Sequence, residues 1–397
     1  MQATKLKDGI YYVGVADPSL RVFDIIMRTE FGTTYNAYLV KGQKSALIET
    51  VHNKFADRYV DMVQEVEDIK QIDYVILNHT EPDHSGSLVK ILEINPDIEV
   101  YGTNAALKNM RQITNQTFHE HAVKDGEELD LGGGMVLRFL IAPNLHWPDS
   151  MFTYVESAKT LFSCDVLGAH YCEMGVTDEN LLSEENYNRA FKEYYDAIVA
   201  PFHPFVVRGL LKIDGLPIDM VCNSHGPVLK KYIQKNLAKY AEWSKPIEKE
   251  NKTAAIFYVS AYGYTQKMAL TLKGELEKKG ILADCYHIIE SSQDEMVEKL
   301  HTADVVLFGS PTINRGALKP VWDLISCIDL INTKGKVYGV FGSYGWSGEA
   351  CPLIAQHLSA MKLKVFEEPF TTVFNPSDET IGELEKYADR LADSVLA

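Results

Sequence analysis

The sequence predicts two successive α/β domains, the first built from antiparallel strands and helices and the second from a doubly wound parallel sheet. In the first half, short segments rich in β-branched and aromatic residues are separated by Gly, Asp and Pro, which is typical of antiparallel strands. Residues 253–397 instead alternate strand and helix, which is typical of a parallel sheet. The charged, Pro-containing stretch 244–252 is interpreted as a linker, so domains are predicted at 1–249 and 250–397.

Composition indicates an ordinary globular protein and argues against nucleic-acid-binding, secreted and membrane-spanning classes of protein. The chain has 397 residues, 46% of them hydrophobic and 24% charged, enough for two or three domains. A formal net charge of −16 disfavours nucleic acid as a partner. Residues 1–10 show no apolar signal segment, and no stretch approaches the roughly 20 apolar residues of a membrane span. Six cysteines without a C-x-x-C pair indicate a reducing compartment and no fused Cys₄ iron module, so a cytoplasmic location is expected.

The N-terminal elements follow from residue periodicity and turn residues. In chain order they are strands at 9–14, 22–27, 34–40 and 45–50, a helix at 55–66, a strand at 74–77, a helix through 88–92, a strand from 98, a helix at 104–113, strands at 132–141, 151–155 and 160–165, a helix at 183–198, a strand from 220, and a helix at 229–243.

The strand at 74–77 leads into the segment His79-Thr80-Glu81-Pro82-Asp83-His84, on which the functional interpretation depends. Any single His or Asp here would be an ordinary loop residue, but four ligand-type side chains within six positions indicate a metal site. Because side chains alternate along an extended segment, His79, Glu81 and Asp83 are predicted to share one face, with His84 directed to a second centre.

Three more ligand-type residues lie where predicted strands end, namely His146, Asp165 and His225. Each has an ordinary alternative: His146 could pack beside Trp147, Asp165 could cap a turn, and His225 could be a turn residue. Loops at strand ends on a rigid sheet are common positions for sites. Seven ligands exceed one tetrahedral ion and suit two metals that share a bridging carboxylate.

These residues resemble the metallo-β-lactamase fold, an αββα sandwich with a binuclear site at its sheet edge. In the zinc hydrolases of that fold, the position of Glu81 is typically His. A carboxylate there makes the ligand set harder and more anionic, which favours iron over zinc.

In the C-terminal domain, strands are predicted at 254–259, 282–287, 305–309, 337–342 and 365–373. The loop 260–265 after the first strand is rich in hydroxyl groups and glycine and leads into a helix, which suits a phosphate group. It lacks the Gly-x-Gly-x-x-Gly and Gly-Lys-Ser/Thr patterns, so a mononucleotide fits it better than NAD or ATP.

Two further loops, 310–315 and 343–348, follow the third and fourth strands. Three such loops resemble flavodoxin, in which the first binds the FMN phosphate and the other two flank the isoalloxazine. The residues that this resemblance assigns to FMN are Ser260, Tyr262, Gly263, Tyr264, Thr265, Pro311, Thr312, Ile313, Asn314, Ser343, Tyr344, Gly345, Trp346, Ser347 and Gly348.

A β-lactamase-type domain followed by a flavodoxin-type domain resembles the flavodiiron proteins over nearly the whole chain. The resemblance implies one iron held by His79, Glu81, His146 and Asp165, and a second held by Asp83, His84, His225 and the bridging Asp165; Asp83 with water could also complete the second iron without His84. It implies reduction of O₂ to water, of NO to N₂O, or of both, with FMN as electron relay. His170 and the pair Tyr194-Tyr195 are candidates for orienting ligands and supplying protons.

The resemblance also implies a head-to-tail homodimer or a dimer of dimers, in which FMN of one subunit faces the irons of the other. A separate donor, a rubredoxin or a reduced deazaflavin, would supply electrons. Two other classes stay open: a binuclear zinc hydrolase with a regulatory flavodoxin domain, and an electron carrier with a vestigial metal site.

Overall fold

The computed structural model describes residues 2–25, 27–173, 175–245 and 249–396. They form two compact units, Met1–Pro246 and Ile247–Ala397. The predicted linker includes residues 246–248 and the predicted strand 22–27 includes residue 26, so these parts of the predictions lie outside the described residues. The domain boundary between 249 and 250 stays a prediction.

The first unit contains sixteen strands and seven α-helices among its described residues. The strands are β1 (Thr4–Lys7), β2 (Ile10–Tyr12), β3 (Val15–Asp17), β4 (Val22–Phe23), β5 (Met27–Arg28), β6 (Thr33–Tyr35), β7 (Tyr38–Lys41), β8 (Ser45–Ile48), β9 (Tyr74–Ile76), β10 (Glu99–Gly102), β11 (His119–Ala122), β12 (Glu128–Asp130), β13 (Val136–Ile141), β14 (Met151–Val155), β15 (Thr160–Cys164) and β16 (Met220–Asn223). The helices are α1 (Ala56–Gln64), α2 (Pro82–Ser85), α3 (Leu88–Ile94), α4 (Asn104–Thr114), α5 (Glu184–Tyr194), α6 (His203–Ile213) and α7 (Ile233–Trp243), and a π-helical turn, Tyr195–Val199, continues α5.

Two sheets face each other and helices cover their outer faces, which is the predicted αββα sandwich. One sheet has the strand order β1-β2-β7-β8-β9-β10-β11 and the other β12-β13-β14-β15-β16. Along β8, Leu47 faces the cluster under α1, α3 and α4, while Ala46 and Ile48 face the interior between the sheets. This alternation is the one expected of strands that are buried on both faces.

Several predicted elements of the first unit differ from the structure; for example, the strand predicted at 132–141 begins only at Val136. The strand predicted at 22–27 is the two short strands β4 and β5, because Asp24 and Ile25 have positive φ (46° and 69°) and turn the chain. The strand predicted at 34–40 is divided into β6 and β7. The helix predicted from Leu229 begins four residues later, because Leu229 pairs with Val221 and the Asp178 carboxylate accepts the next three backbone N–H groups.

The second unit is a parallel sheet of order β18-β17-β19-β20-β21 with helices on both faces, which confirms the predicted flavodoxin-like class. Its elements are β17 (Thr253–Tyr258), α8 (Tyr264–Lys278), β18 (Leu282–His287), α9 (Gln293–Thr302), β19 (Val305–Gly309), α10 (Lys319–Ile325), β20 (Val337–Tyr344), α11 (Ala350–Ala360), β21 (Phe370–Val373) and α12 (Asp378–Leu396).

The last strand is shorter than predicted. Val365 makes only an isolated bridge to Tyr338, Glu367 has a φ of +41°, and Pro369 lacks the N–H that a strand would use. Among the described residues, no helix is long and apolar enough to cross a bilayer.

Candidate functional site

The seven predicted metal ligands converge at one edge of the sandwich. Asp165 directly follows β15, and His225 lies two residues after β16. The segment from His79 to His84 follows β9, and His146 lies in the loop between β13 and β14. Each strand fixes the point at which its loop begins, so side chains far apart in sequence meet in one place.

The first group consists of His79, Glu81, His146 and Asp165, whose ligand atoms all lie within 4.8 Å of one another. Glu81 Oε2 is 3.3 Å from His79 Nε2 and 3.1 Å from His146 Nε2. Asp165 Oδ2 completes the group at 3.3 Å from His146 Nε2. Two imidazoles and two carboxylates form a mixed nitrogen and oxygen ligand set of the kind that non-haem iron accepts.

The second group consists of Asp83, His84 and His225, again within 4.8 Å. His225 Nε2 lies 3.1 Å from Asp83 Oδ2, and His84 Nε2 lies 3.3 Å from Asp83 Oδ1. The His84 imidazole therefore points to the centre of the group, beside Asp83.

Asp165 connects the two groups. Its Oδ2 faces His79 (3.6 Å) and His146 (3.3 Å), while its Oδ1 faces His84 (3.1 Å) and His225 (3.6 Å). One carboxylate with an oxygen directed into each of two ligand groups has the geometry of a bridge between two metal ions.

The predicted common face of His79, Glu81 and Asp83 is wrong. Pro82 occupies the first turn of α2, where its fixed φ suits a helix start, and the chain turns after Glu81. His79 and Glu81 consequently face the first group, whereas Asp83 joins His84 in the second.

Three of the seven side chains, Asp83, His84 and Asp165, have unpaired buried atoms that metal ions would satisfy. Both carboxylate oxygens of Asp83, both ring nitrogens of His84 and Asp165 Oδ2 are buried without a hydrogen-bond partner among the described residues. Burial opposes the charged imidazolium of His84, but the charges of Asp83 and Asp165 raise its pKa to about 10. The carboxylates of Glu81, Asp83 and Asp165 lie close together in a buried site and need nearby positive charge, which two metal cations would supply.

Asp149 is a part of the site that the sequence analysis missed. Its Oδ2 accepts hydrogen bonds from Thr80 N and Thr80 Oγ1, both at 2.7 Å, and lies 3.3 Å from His79 Nδ1. A carboxylate on the far nitrogen of a ligand histidine fixes the ring so that Nε2 points to the metal. The sequence offered one indication of this role, since Asp149 lies only three residues after His146. Its contact with His79, however, exists only in the folded protein.

We expect Asp149→Asn to weaken metal binding by about 10- to 100-fold, because the His79 ring loses its charged partner. Metal affinity can be measured by competition with a chelator, and bound FMN, counted by its absorbance, should not change. Thr80→Val is the matched variant, since it removes one hydrogen bond to Asp149 but leaves the carboxylate, and its effect should be smaller. Equal affinity in Asp149→Asn and the unchanged protein would contradict this role.

Two of the three residues predicted to assist the reaction, His170 and Tyr194, lie beside the second group, whereas the Tyr195 ring packs against Tyr240 and Trp243. Tyr194 donates a hydrogen bond to Asp165 Oδ1 at 3.0 Å. His170 Nδ1 lies 2.9 Å from Thr33 Oγ1, and its ring centroid is 5.0 Å from that of His225. Burial holds the pKa of His170 well below its usual range, so the ring is neutral. Their catalytic roles stay predictions.

Two further carboxyl groups near the ligands were not predicted. Glu49 is buried, and burial raises its pKa to about 8 although the charge of His84 opposes the shift. Partial burial and the negative charge of Glu81 raise the pKa of Asp24 to about 6. Glu49 can therefore hold a proton close to the ligand groups at neutral pH, whereas Asp24 holds one only in mildly acidic solution.

The second unit has a cleft of about 360 Å³ at the carboxyl ends of its strands. This volume lies within the range of small-ligand sites. Trp346 and Tyr262 border the cleft with 90% and 83% of their surface exposed, which leaves their faces free to stack on a planar ring. Predicted FMN residues that line it are Tyr262, Tyr264, Pro311, Thr312, Ile313, Asn314, Ser343, Tyr344, Gly345, Trp346 and Ser347.

The remaining predicted FMN residues lie outside the cleft lining. Gly263 precedes α8 with a φ of +82°, a conformation that glycine adopts without strain, and Gly348 lines a neighbouring groove. Ser260 Oγ accepts the N–H of Gln266 in the first turn of α8, and Thr265 Oγ1 lies 3.2 Å from Ser343 Oγ. Ser260 and Thr265 therefore support the cradle at the helix N-terminus, where the resemblance places the phosphate.

Phe374 and Arg315 also line the cleft and were not assigned to FMN. Phe374 is the first residue after β21, so the rule that ligand loops follow parallel strands would have found it. Arg315 Nε lies 3.2 Å from Glu349 Oε1, and this ion pair connects the loop 310–315 to the residue that follows the loop 343–348.

The chain matches two known families, one in each unit. Residues 33–226 match the ODP family of beta lactamases, and residues 256–394 match flavodoxin.

Two relatives match the chain over nearly its whole length. The chain is 46% identical to a flavo-diiron protein of Clostridium acetobutylicum over 402 residues, covering 100% of both chains. It is 33% identical to a type A flavoprotein of Rhodobacter capsulatus, covering 97% of this chain and 90% of the relative. Among solved structures, rubredoxin oxygen:oxidoreductase from Desulfovibrio gigas superimposes with a TM-score of 0.69 at 29% identity, covering 100% of both chains. The flavodiiron protein from Giardia intestinalis gives a TM-score of 0.67 at 26% identity, covering 100% of this chain and 97% of that one.

Proposed function

Since this chain belongs to the flavodiiron proteins, an oxidoreductase family with FMN and a diiron site, we propose that it reduces O₂ to water, NO to N₂O, or both. The observation that carries the proposal is Asp165, which directs one carboxylate oxygen into each of two buried ligand groups. When bound, the irons and FMN supply the one-electron chemistry that both gases require. The first iron would be held by His79, Glu81, His146 and Asp165, and the second by Asp83, His84, His225 and Asp165.

The surrounding residues orient the ligands and supply protons. Asp149 fixes His79, and the carbonyl oxygen of Thr34 lies 2.6 Å from His225 Nδ1, so both histidines present Nε2 to the site. The Tyr194 hydroxyl holds a proton 3.0 Å from Asp165 Oδ1, within hydrogen-bond reach of the ligand groups.

Aromatic rings limit the access of water on several sides. Trp147 lies 5.0 Å from the His79 ring, Phe202 lies 6.1 Å from His146, and Phe23 lies 5.6 Å from His225, measured between ring centroids. A small apolar gas can reach such a site more readily than a polar substrate of a hydrolase. Together with the family assignment, this argues against the zinc hydrolase. The convergence of all seven ligand side chains argues against a vestigial site.

A separate protein or cofactor is proposed as electron donor, either a rubredoxin, which is part of the name of the Desulfovibrio gigas relative, or a reduced deazaflavin. We further propose a head-to-tail homodimer or dimer of dimers and a cytoplasmic location. Sedimentation of the active protein tests the assembly, and a fully active monomer would contradict the proposed electron path between subunits.

The deciding experiment is stopped-flow oxidation of the fully reduced protein by each gas. We expect FMN to be reoxidised far faster in the iron-loaded protein than in its iron-free form with FMN retained. The products should balance as O₂ + 4e⁻ + 4H⁺ → 2H₂O or 2NO + 2e⁻ + 2H⁺ → N₂O + H₂O. Equal reoxidation rates with and without iron for both gases would reject the function, and the faster gas with stable turnover identifies the preferred substrate.

A further inference from the structure

Oxidisable aromatic side chains form a continuous line from the segment after Asp165 to the protein surface. The Tyr240 hydroxyl accepts a hydrogen bond from Leu167 N at 3.1 Å, two residues beyond Asp165. The Tyr240 ring centroid lies 4.9 Å from that of Tyr195, which in turn lies 4.9 Å from that of Trp243. Tyr240 and Tyr195 are buried, whereas Trp243 is half-buried and reaches solvent.

From this arrangement we propose that Tyr240, Tyr195 and Trp243 form a protective relay, which supplies an electron to the metal site when FMN cannot. The proposal rests on the proposed O₂ reduction. A site that has begun to reduce O₂ without enough electrons holds a strong oxidant beside its own ligands. An electron drawn from the surface would spare those ligands.

The residue types favour this role over a role in core packing alone. Tyrosine and tryptophan are the aromatic residues that can be oxidised by one electron, and phenylalanine would fill the same space. Burial raises the pKa of both Tyr195 and Tyr240, so both are neutral phenols. The Tyr195 hydroxyl lies 2.8 Å from Ser244 Oγ, a contact that holds the phenol in place, so the ring passes the electron while its proton stays on the hydroxyl oxygen.

The electron balance closes with O₂ and one external reductant. Complete reduction of O₂ takes four electrons and four protons. When the reduced cofactors together hold only three electrons, Trp243 supplies the fourth through Tyr195 and Tyr240, and water supplies the four protons. Trp243 is left as a radical cation. Lys192 and Lys239, whose Nζ atoms lie 5.2 and 5.8 Å from its ring centroid, disfavour that positive charge and so favour loss of the indole proton to solvent. An ascorbate-type reductant then returns one electron and one proton.

The test uses the holoprotein with limiting electrons. One arm adds O₂ to protein given too few electrons for complete reduction, and a parallel arm adds hydrogen peroxide, so the relay is tested even if O₂ is not a substrate. Frozen samples are examined by electron paramagnetic resonance for Trp and Tyr radicals, and digests are examined by mass spectrometry for oxidised tryptophan. Protein without iron is the blank.

We expect a tryptophan radical and oxidation products at Trp243 in the unchanged protein. Trp243→Phe should lose both and should be inactivated several-fold faster under limiting electrons, while its initial rate with excess electrons stays unchanged. Tyr195→Phe keeps the ring packing and should also reduce oxidation of Trp243. Trp322→Phe, in the second unit, is the matched control and should behave as the unchanged protein.

Trp147, which lies beside His79, is the alternative residue that could be oxidised in place of Trp243. Oxidation confined to Trp147 or to the ligand histidines, in either arm, would overturn the relay, as would unchanged radical yield in Trp243→Phe. If O₂ is consumed but Trp243 is not oxidised, the relay fails and the proposed function stands. If O₂ is not consumed but peroxide oxidises Trp243, the proposed O₂ reduction fails, whereas the electron path from Trp243 to the metal site stands.

Discussion

Replacing Asp165 by alanine is expected to release both metal ions while FMN stays bound. Asp165 is the side chain that both ligand groups share, with Oδ2 3.3 Å from His146 Nε2 and Oδ1 3.1 Å from His84 Nε2. Loss of a side chain that only supports a ligand lowers metal affinity by about 10- to 100-fold. Asp165 is itself a ligand of both groups, so its loss should lower metal affinity by more than that. Gas reduction should fall by more than about 100-fold for the same reason.

Iron analysis and the flavin spectrum of the purified variant give the result directly. Alanine also removes the acceptor of the buried Tyr194 hydroxyl, which costs about 1–3 kcal/mol in the free energy of unfolding. Asp165→Asn keeps an oxygen for Tyr194 but removes the charge, so it separates metal loss from destabilisation. Asp97→Ala, at an exposed position, is the neutral control. Full iron content in Asp165→Asn would contradict the bridging assignment.

The second large effect is expected from Glu81→His. Glu81 Oε2 lies 3.1 Å from His146 Nε2 and 3.3 Å from His79 Nε2, so a histidine there places a third imidazole in the first group. Zinc accepts three imidazoles readily, whereas the lost carboxylate favoured iron. Bound iron should fall and bound zinc should rise, with FMN retained. Because zinc has no redox chemistry, gas reduction should fall by at least about 10-fold, in line with the cost of a disturbed ligand shell.

Metal analysis after growth with both metals, together with the gas reductase assay, measures this change. Glu81→Asp is the matched variant, since it keeps the carboxylate on a side chain one methylene shorter and should keep more iron than Glu81→His. Full gas reductase activity with unchanged iron in Glu81→His would show that Glu81 does not select the metal.

Most of the fold could be predicted because its signals are local. The strand β19 begins and ends where its apolar, β-branched and aromatic run does, the strand β18 has the predicted bounds, and turn residues mark the loops that carry His146, Asp165 and His225. Predictions failed where a distant partner overrides local preference. The start of α7 is moved by Asp178, more than 50 residues earlier in the chain, which accepts the N–H groups that would have begun the helix.

The sequence by itself determined the types of ligand, the likeness to a diiron and flavodoxin pair, and the presence of a carboxylate at position 81. Only the tertiary structure decided how the ligands divide. Pro82 begins α2 and turns Asp83 away from Glu81, and the neighbouring ends of β15 and β16 set Asp165 between the two groups. The supporting contact of Asp149 to His79 and the aromatic line to Trp243 also exist only in the fold. The physical reason is that ligand chemistry belongs to single residues, whereas bridging, orientation and electron paths depend on distances between atoms far apart in the chain.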